Sequence, residues 1–599
     1  MTDAPVADRV PEYRRRLDDR LAHLKRLTTI DGRIATARGL VFLAAVAAAI
    51  NAYSSEGGSY RPVIGFVVLF VALVLAHDAV EDRLKQARLA QSYWERGLRR
   101  LADRWRGDGA TGDRYVDEAH LYSSDLDLFG PGSLFELLCQ ARTRLGEDTL
   151  ARWLSVPVDS EVIRRRQQAV AELAPLVDLR ERLAILDAEV RDDLDQSRLI
   201  GWASETARPL SGQVRLMTLV LTLFSLGTLV VMAIWNLLFP FLFMVIVQGL
   251  VAVLHGRHIR RLAETADEAA SGLAILSQVL AILEQQQFAA PLLVDIHRRL
   301  ETQGLPPSRQ IARLQRLMDY LNNSLRNQFF AAIALVLGLP VHLVHAIEVW
   351  RAEVGPHIPE WLRAVGEFEA LACLAGYSYE RPDHPFPQLL DAGTHFEATS
   401  IGHPLISRAQ CISNDVCLDE QTRLILISGS NMSGKSTMLR TIGINLVLAH
   451  AGAPVRAARL TTSPLRLGTA MRIHDSLQGG ESLFYAAVSR LKSVVAAAAD
   501  GPPLLFLFDE ILQGTNSHDR LIGSEGVLRA LVNRGAVGLV TTHDLALTDM
   551  VNRLDSQAVN FHFEDSLING KMTFDYRIRP GVVQKSNALE IMRLMGLDV

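Results

Sequence analysis

Two short stretches of the chain bring together residue types that handle phosphates and metal ions. Residues 429–436 read GSNMSGKS, a full match to the pattern GxxxxGK[ST], preceded by the apolar RLILIS and followed by the helix-forming TMLRTIGINLVLAH. In a strand–loop–helix setting this P-loop pattern folds its backbone N–H groups inward around phosphate oxygens, and the helix start adds the positive end of its dipole. Gly429, Asn431, Met432, Ser433 and Gly434 are the expected cradle, Lys435 reaches for the β- and γ-phosphates, and Ser436 and Thr437 open the helix, with Ser436 a magnesium ligand. Downstream, PLLFLFDE at 503–510 is a buried-strand pattern that ends in two acids. Asp509 at the strand tip is placed to hold the metal, directly or through water, and Glu510 beside it to orient or deprotonate an attacking water. A further apolar run, AVGLVTT, leads to His543, in the position of a switch that senses a γ-phosphate. The expected ligands are ATP and Mg2+, and the expected reaction is hydrolysis.

Such residues need a rigid sheet to position them. From about residue 391, short β-branched runs alternate with helical stretches, as in an α/β domain with a largely parallel sheet. Pro382, Pro385 and Pro387 punctuate the approach to it. Before them, residues 81–212 and 257–390 are rich in Leu, Ala, Glu and Arg with apolar positions at helical spacing, which predicts long packed helices. A chain of 599 residues is too long for one hydrophobic core. The expected division is an N-terminal arm with a first transmembrane hairpin at 1–80, an all-α core at 81–212, a second hairpin at 213–256, a core and lever-like region at 257–390, and the P-loop α/β domain at 391–599.

The hairpins rest on apolar length. Leu216 to Leu254 contains no Asp, Glu, Lys or Arg and exceeds what one helix needs to cross the hydrocarbon. Asn236 and Pro240 near its middle predict a turn, and Trp235 an interfacial anchor. Two shorter runs, Gly39 to Tyr53 and Pro62 to Ala76, flank the polar SSEGGSYR. Arg33 and Arg38 before them, and Arg83, Lys85 and Arg88 after, lie on one side, as the positive-inside rule requires. A buried soluble hairpin is the competing reading of this pair. The run Phe329 to Val344, with Gly338, Pro340 and His342, falls inside a longer helical pattern and is expected as a soluble core helix. Four spans return the C-terminal domain to the side of the N-terminus, which fits a multi-pass protein of the cytoplasmic membrane with its P-loop domain in the cytosol. Arg14 to Arg26 reads equally well as a basic amphipathic helix on the bilayer or as a solvated surface helix.

Charge and cysteine content narrow the field further. Lys plus Arg number 62 against 66 Asp plus Glu, a formal net charge of -4, so the chain lacks the basic excess of a dedicated nucleic-acid binder. Cys139, Cys373, Cys411 and Cys417 form no CxxC pair, which predicts ordinary buried thiols in a reducing cytosol.

Two branches of P-loop protein compete for these motifs. LQGGE at 477–481 partly matches the LSGGQ signature of ATP-binding cassette transporters, but the serine that such a signature offers to the opposite subunit's γ-phosphate is Gln478 here. Two hairpins split by a long helical region also make a poor translocation path. The chain instead resembles the MutS mismatch-repair family. GHPLI at 402–406, SNDV at 413–416 and ISGSNMSGKSTMLRTIGINLVLAHAGAPVRA follow that family's ATPase domain in order and spacing. ESLFYAAVSRLKSVV is similar to its STF-type helix, FDEILQGTNSHD to its Walker B strand and following loop, TTHD to its switch, and NGKMTFDYRIRPGVVQKSNALEIMRLMGL to its closing strands and helix. Upstream, GSLFELLCQARTRLGEDTLARWLSVPVDSEVIRRRQQAV resembles the start of its helical core.

The resemblance covers about residues 130–200 and 256–599. It implies a homodimer in which each ATPase domain presents the loop after Walker B to its partner's nucleotide. Asn516 and Ser517 occupy that position, in a GTNS where the family has GTST. It also implies DNA as a partner, although nothing in the chain resembles the family's mismatch-reading domain with its Phe-x-Glu wedge or its connector domain. The expectation is a dimeric, membrane-anchored ATPase whose heads close on ATP and whose long helices pass that closure towards the bilayer, coupled to DNA binding or a repair-related transaction. The alternative is an ATP-driven membrane scaffold or remodelling protein with no DNA role.

Overall fold

Runs of Leu, Ala, Val, Arg and Glu without internal proline favour unbroken helices, and the first two begin with proline in their first turn, where its missing N–H is harmless. In the computed structural model, which describes residues 9–54, 59–186, 196–206, 211–301, 304–430, 432–472, 483–499, 501–513, 515–553, 557–568 and 571–583, α1 (Val10–Ser54) and α2 (Arg61–Leu101) pack along one another. A short helix, α3 (Val177–Ala184), lies against α2. The next long pair is α4 (Gly212–Trp235) and α5 (Leu238–Glu284). Asn236, in the left-handed region at φ 52°, ends α4, and Pro240 stands in the first turn of α5, so the turn falls where Asn236 and Pro240 predict it. Among the described residues four helices are long and apolar enough to cross a membrane: Val10–Ser54, Arg61–Leu101, Gly212–Trp235 and Leu238–Arg257. Their apolar residues face outward, among them Leu43, Val68, Phe224, Phe243 and Ile246.

Some of the sequence expectations change here. The compositional borders at 80/81 and 256/257 fall inside α2 and α5, because both sides of each border form helix equally well and only the character of the surroundings changes. At 47 residues, α5 is about 70 Å long and runs without a break from the apolar hairpin into the polar core. The segment Arg14 to Arg26 forms part of the first turns of α1 and is exposed or half-buried along its length. Tyr13 is buried edge-on against Trp94 at 4.9 Å, Arg16 pairs with Asp178, and Arg20 forms a two-pronged bond to the buried Glu181 at 2.6 and 2.8 Å. The run Phe329 to Val344 is not one helix but two, α6 (Gln328–Val336) and α7 (Leu339–Val354), divided by Gly338 at φ 59°. Of the four thiols, Cys139 and Cys373 are buried as expected, while Cys411 is half-buried and Cys417 exposed.

The helical part ends in α8 (Ile358–Glu380), most of whose residues are buried, and the β-region begins directly after it. A small sheet has the order β1 (Gln388–Leu389), β5 (Arg459–Thr462), β2 (Phe396–Ile401), β3 (Asn414–Leu418). The main sheet runs β10 (Lys571–Pro580), β9 (Ala558–Ile568), β4 (Leu424–Ser428), β8 (Val537–Thr542), β7 (Leu504–Asp509), β6 (Arg466–Ala470). All neighbours are parallel except the β10–β9 edge. Every residue of β4 and β8 is buried, the pattern of a strand covered on both faces.

One buried ion pair ties the first hairpin to this domain. Arg100, at the end of α2, donates to Glu380, at the end of α8, over 2.7 and 2.9 Å, and Tyr13 of α1 donates to the same carboxylate at 3.3 Å. Next along the chain, Arg381 reaches back to Asp103 at 2.8 Å. Removing one member of a buried pair strands the other charge, at about 3–5 kcal/mol. Glu380→Ala is therefore expected to lower the thermal unfolding midpoint of the detergent-solubilised protein markedly, and Glu380→Gln, which keeps an acceptor, to lower it less. An unchanged midpoint in both variants would remove this pair from the account.

Candidate nucleotide-binding site

Register sets the site. β4 and β8 pair Ser428 with Thr542, and β8 and β7 pair Thr541 with Asp509, so three strands end level at one edge of the sheet. In open α/β sheets that carboxyl edge is where ligands bind. From Ser428 the chain turns through Gly429 (φ 154°), Met432 (φ 70°) and Gly434 (φ 102°) into α9 (Lys435–Ala451). Gly434 needs to be glycine twice over: its φ is left-handed, and a Cβ there would stand 3.1 Å from the ring of Tyr576.

Lys435 is buried, and its Nζ donates to the carbonyls of Gly429 and Ser430 at 2.7 and 2.8 Å. Burial lowers its pKa, opposed by the nearby charges of Glu510 and Asp509, which places the Walker A lysine and both Walker B acids in one electrostatic neighbourhood. The hydroxyls of Ser430 and Ser433 are buried without a hydrogen-bond partner among the described residues. Unpaired donors inside a glycine-bounded loop at a helix start are what bound phosphate oxygens would satisfy, so these residues fit a nucleotide.

Opposite the loop, Asp509 accepts from the Thr541 hydroxyl. Glu510 adopts φ 52°, uncommon for a residue with a side chain, and its N–H donates to the Thr541 carbonyl at 3.1 Å. Its carboxylate accepts from the Gln513 amide and lies 3.4 Å from Nδ1 of His543. Acid, amide and imidazole thus form one cluster beside the cradle.

Above the loop opens a cavity of about 630 Å³ that Met432, Gly434, Lys435, Ser436, Thr437 and Glu510 line on one side, and Ile412, Asn414 and Tyr576 on the other. Tyr576 reaches it through an irregularity in β10, between Phe574 and Ile578, with its own φ at 55°. Asn414 holds that irregularity from both sides: Nδ2 donates to the Tyr576 carbonyl at 3.0 Å, and Oδ1 accepts from the Ile578 N–H at 2.9 Å. His403, also on the wall, is held neutral by burial, its pKa brought down to about 4, and accepts from the Leu405 N–H at 3.2 Å.

The structure brings Gly429, Met432, Ser433, Gly434, Lys435, Ser436, Thr437, Asp509, Glu510 and His543 to one strand edge. Asn431 lies outside the described residues, as do LQGGE and the closing residues 584–599. Asn516 and Ser517 stand apart from the cavity. Asn516 caps α10 (Ser517–Asn533), accepting from the Asp519 N–H at 2.8 Å and donating to its carboxylate at 2.7 Å, while Ser517 is exposed. Sequence reading passed over Tyr576, Ile412 and Asn414, although Asn414 lies within the SNDV that carried part of the resemblance. It also missed residues 117–128, which brace β6: Asp125 accepts from the Thr469 hydroxyl at 2.5 Å and from the Arg472 N–H at 2.9 Å.

With this geometry in view, residues 425–598 match MutS domain V. The C-terminal part is thus similar to that P-loop ATPase-type domain, and an all-helical region precedes it. The chain is 32% identical over 251 residues to DNA mismatch repair protein MutS 2 of Halobacterium salinarum, which is 41% of this chain and 28% of that protein. It is 30% identical over 234 residues to DNA mismatch repair protein MutS of Macrococcus caseolyticus, 38% of this chain and 27% of the relative. To the MutS of Natronomonas pharaonis it is 33% identical over 249 residues, 40% and 28% respectively. The chain thus spans under a third of the length of these relatives.

Because Asn414 braces the backbone that presents Tyr576, its two hydrogen bonds, about 1 kcal/mol each, should be felt in the cavity. Asn414→Ala is expected to weaken binding of a fluorescent ATP analogue roughly 3- to 30-fold in an equilibrium titration. Wild-type affinity would show that the Tyr576 wall takes no part.

Proposed function

We propose that the protein binds and hydrolyses ATP in this cavity. The observation that carries the reading is the level strand edge: it brings a lysine-bearing phosphate loop with two unpaired buried hydroxyls against a metal-binding aspartate and a glutamate held by His543 and Gln513. Ser430, Ser433 and the loop N–H groups would bind the phosphates, Lys435 would leave the loop carbonyls for the phosphate oxygens, and Ser436 and Asp509 would hold Mg2+. Magnesium there supplies charge neutralisation of the β- and γ-phosphates. Tyr576 and Ile412 offer an aromatic and an apolar face to a heteroaromatic base. Glu510 is the general base, its carboxylate aimed by the Gln513 amide and the His543 ring.

A second copy of the chain is expected to complete the site, with the N-terminus of α10 facing the partner's nucleotide. There Asn516 acts first as a helix cap, which leaves the exposed Ser517 and the helix N-terminus as the groups to present. The four long apolar helices support anchorage in a membrane with the ATPase domain on its cytosolic face. The likeness to proteins named for DNA mismatch repair supports coupling to a DNA transaction. An ATP-driven membrane scaffold is the second reading, favoured by the outward-facing apolar belt on both hairpins and by the formal net charge of -4. Salt-sensitive retention of duplex or branched DNA by the solubilised protein separates the two: retention is expected for the first and its absence for the second.

A positioned general base contributes about 100- to 10,000-fold. Glu510→Gln is expected to lose at least about 100-fold in ATP turnover while keeping nucleotide binding, and Lys435→Ala to lose both. Wild-type hydrolysis by purified Glu510→Gln would exclude Glu510 as the base.

A further inference from the structure

The second hairpin, α4 and α5, carries buried polar side chains among outward-facing apolar ones. Ser225, Thr218 and Gln248 are buried on its inner face, while Leu223, Phe224, Phe243 and Ile246 point outward. Polar residues in a membrane span are unfavourable unless they serve a partner. Their partner here is the broken helix α6–α7, which packs against both α4 and α5 and bends by 80° at its break.

The bonds are specific to that break. Pro340 has no N–H to give the Val336 carbonyl four residues before it, and the Gln248 amide donates to that carbonyl instead at 2.9 Å, with its other contact to the Ser225 hydroxyl at 3.0 Å. The Thr222 hydroxyl donates to the Leu337 carbonyl at 3.1 Å. Gly338 lies so close that a Cβ there would stand 2.5 Å from the Thr218 methyl group. Non-helical backbone survives at membrane depth only where protein satisfies its polar groups, and the hairpin does so at the carbonyls of Val336 and Leu337.

Depth follows from the same contacts. Ser225 is ten residues before the end of α4 and Gln248 ten after the start of α5, so both stand about 15 Å from the turn, halfway through a hydrocarbon core of about 30 Å. Val336, bonded by Gln248, therefore sits near mid-membrane, and the break at Leu337–Gly338, met by Thr222 and Thr218 about 20 and 26 Å from the turn, lies between that level and the cytosolic side. Residues 327–347 contain no Asp, Glu, Lys or Arg. The first charges on either side are Arg326, which pairs with Asp267 at 3.9 Å, and the buried Glu348, which pairs with Arg351 at 2.8 Å, while Arg215 of α4 contacts His345 at 3.4 Å. Ile333, between these levels, is 57% exposed.

We propose that α6 and α7 form a re-entrant element that dips from the cytosolic side to mid-bilayer beside the second hairpin, with Ile333 facing lipid. This rests on the reading of α4 and α5 as a membrane hairpin. It gives the helical core a second purchase on the bilayer, since α7 leads through residues 355–357 into α8 and so to Glu380 and the ATPase domain.

Spin labels on the full-length protein in phosphatidylethanolamine–phosphatidylglycerol vesicles test it, with the accessible Cys411 and Cys417 replaced by serine. Single cysteines at Ile333→Cys and Ala332→Cys report on the re-entrant element, Phe243→Cys on the hairpin, and Tyr320→Cys on the aqueous core. Labels at 333 or 332 are expected to match the label at 243 in favouring oxygen over a water-soluble nickel chelate as collision partner, with the label at 320 showing the reverse preference. If 333 and 332 follow 320 while 243 stays in lipid, the re-entrant element is refuted and the hairpin stands. If 243 also follows 320, the hairpin reading falls and takes this inference with it.

Discussion

Parallel strands that end together impose the constraint on which the rest depends. Because β4, β8 and β7 keep register from Leu424 to Ser428, Val537 to Thr542 and Leu505 to Asp509, a loop leaving the first, a histidine leaving the second and two acids leaving the third converge without any long-range adjustment. Thr541 fixes both acids from the neighbouring strand β8, accepting from the Glu510 N–H and donating to Asp509. A slip of one residue in either pairing would turn those side chains to the opposite face. Lys435, meanwhile, is held by the carbonyls of its own loop, a contact that a phosphate has to replace.

The helical half answers a different demand. α2 and α5 each pass from an outward-facing apolar zone into a packed core as one rod, so any tilt of a head relative to the hairpins acts on rigid levers rather than on linkers. Both hairpins are fastened near the ATPase domain, the first by Arg100 and Tyr13 on Glu380, the second through α7 and α8.

Much of the site could be read from residue type and spacing, because a P-loop and a strand ending in Asp–Glu are local patterns whose chemistry depends on few neighbours. Lys435, Asp509, Glu510 and His543 lie together at one strand edge. What escaped was set by tertiary contact. Tyr576 enters the cavity only because Asn414, more than 150 residues earlier, holds an irregular β10 in place. Asn516 has the local sequence of a loop residue, yet its side chain is taken up by the helix it starts. In the helical half, apolar length placed the hairpin turn at Asn236 correctly. It did not reveal that α2 and α5 continue through the compositional borders, nor that Gly338 and Pro340 break a helix whose exposed carbonyls are met by Gln248 and Thr222.

The central claim is that one nucleotide with its metal occupies the cradle of each chain. Equilibrium titration of the detergent-solubilised full-length protein with a slowly hydrolysed ATP analogue, with and without Mg2+, tests it most directly. Saturable binding of one analogue per chain, displaced by ATP and weakened when Mg2+ is chelated, is the predicted result. Absence of saturable binding, or binding indifferent to ATP competition, would contradict it.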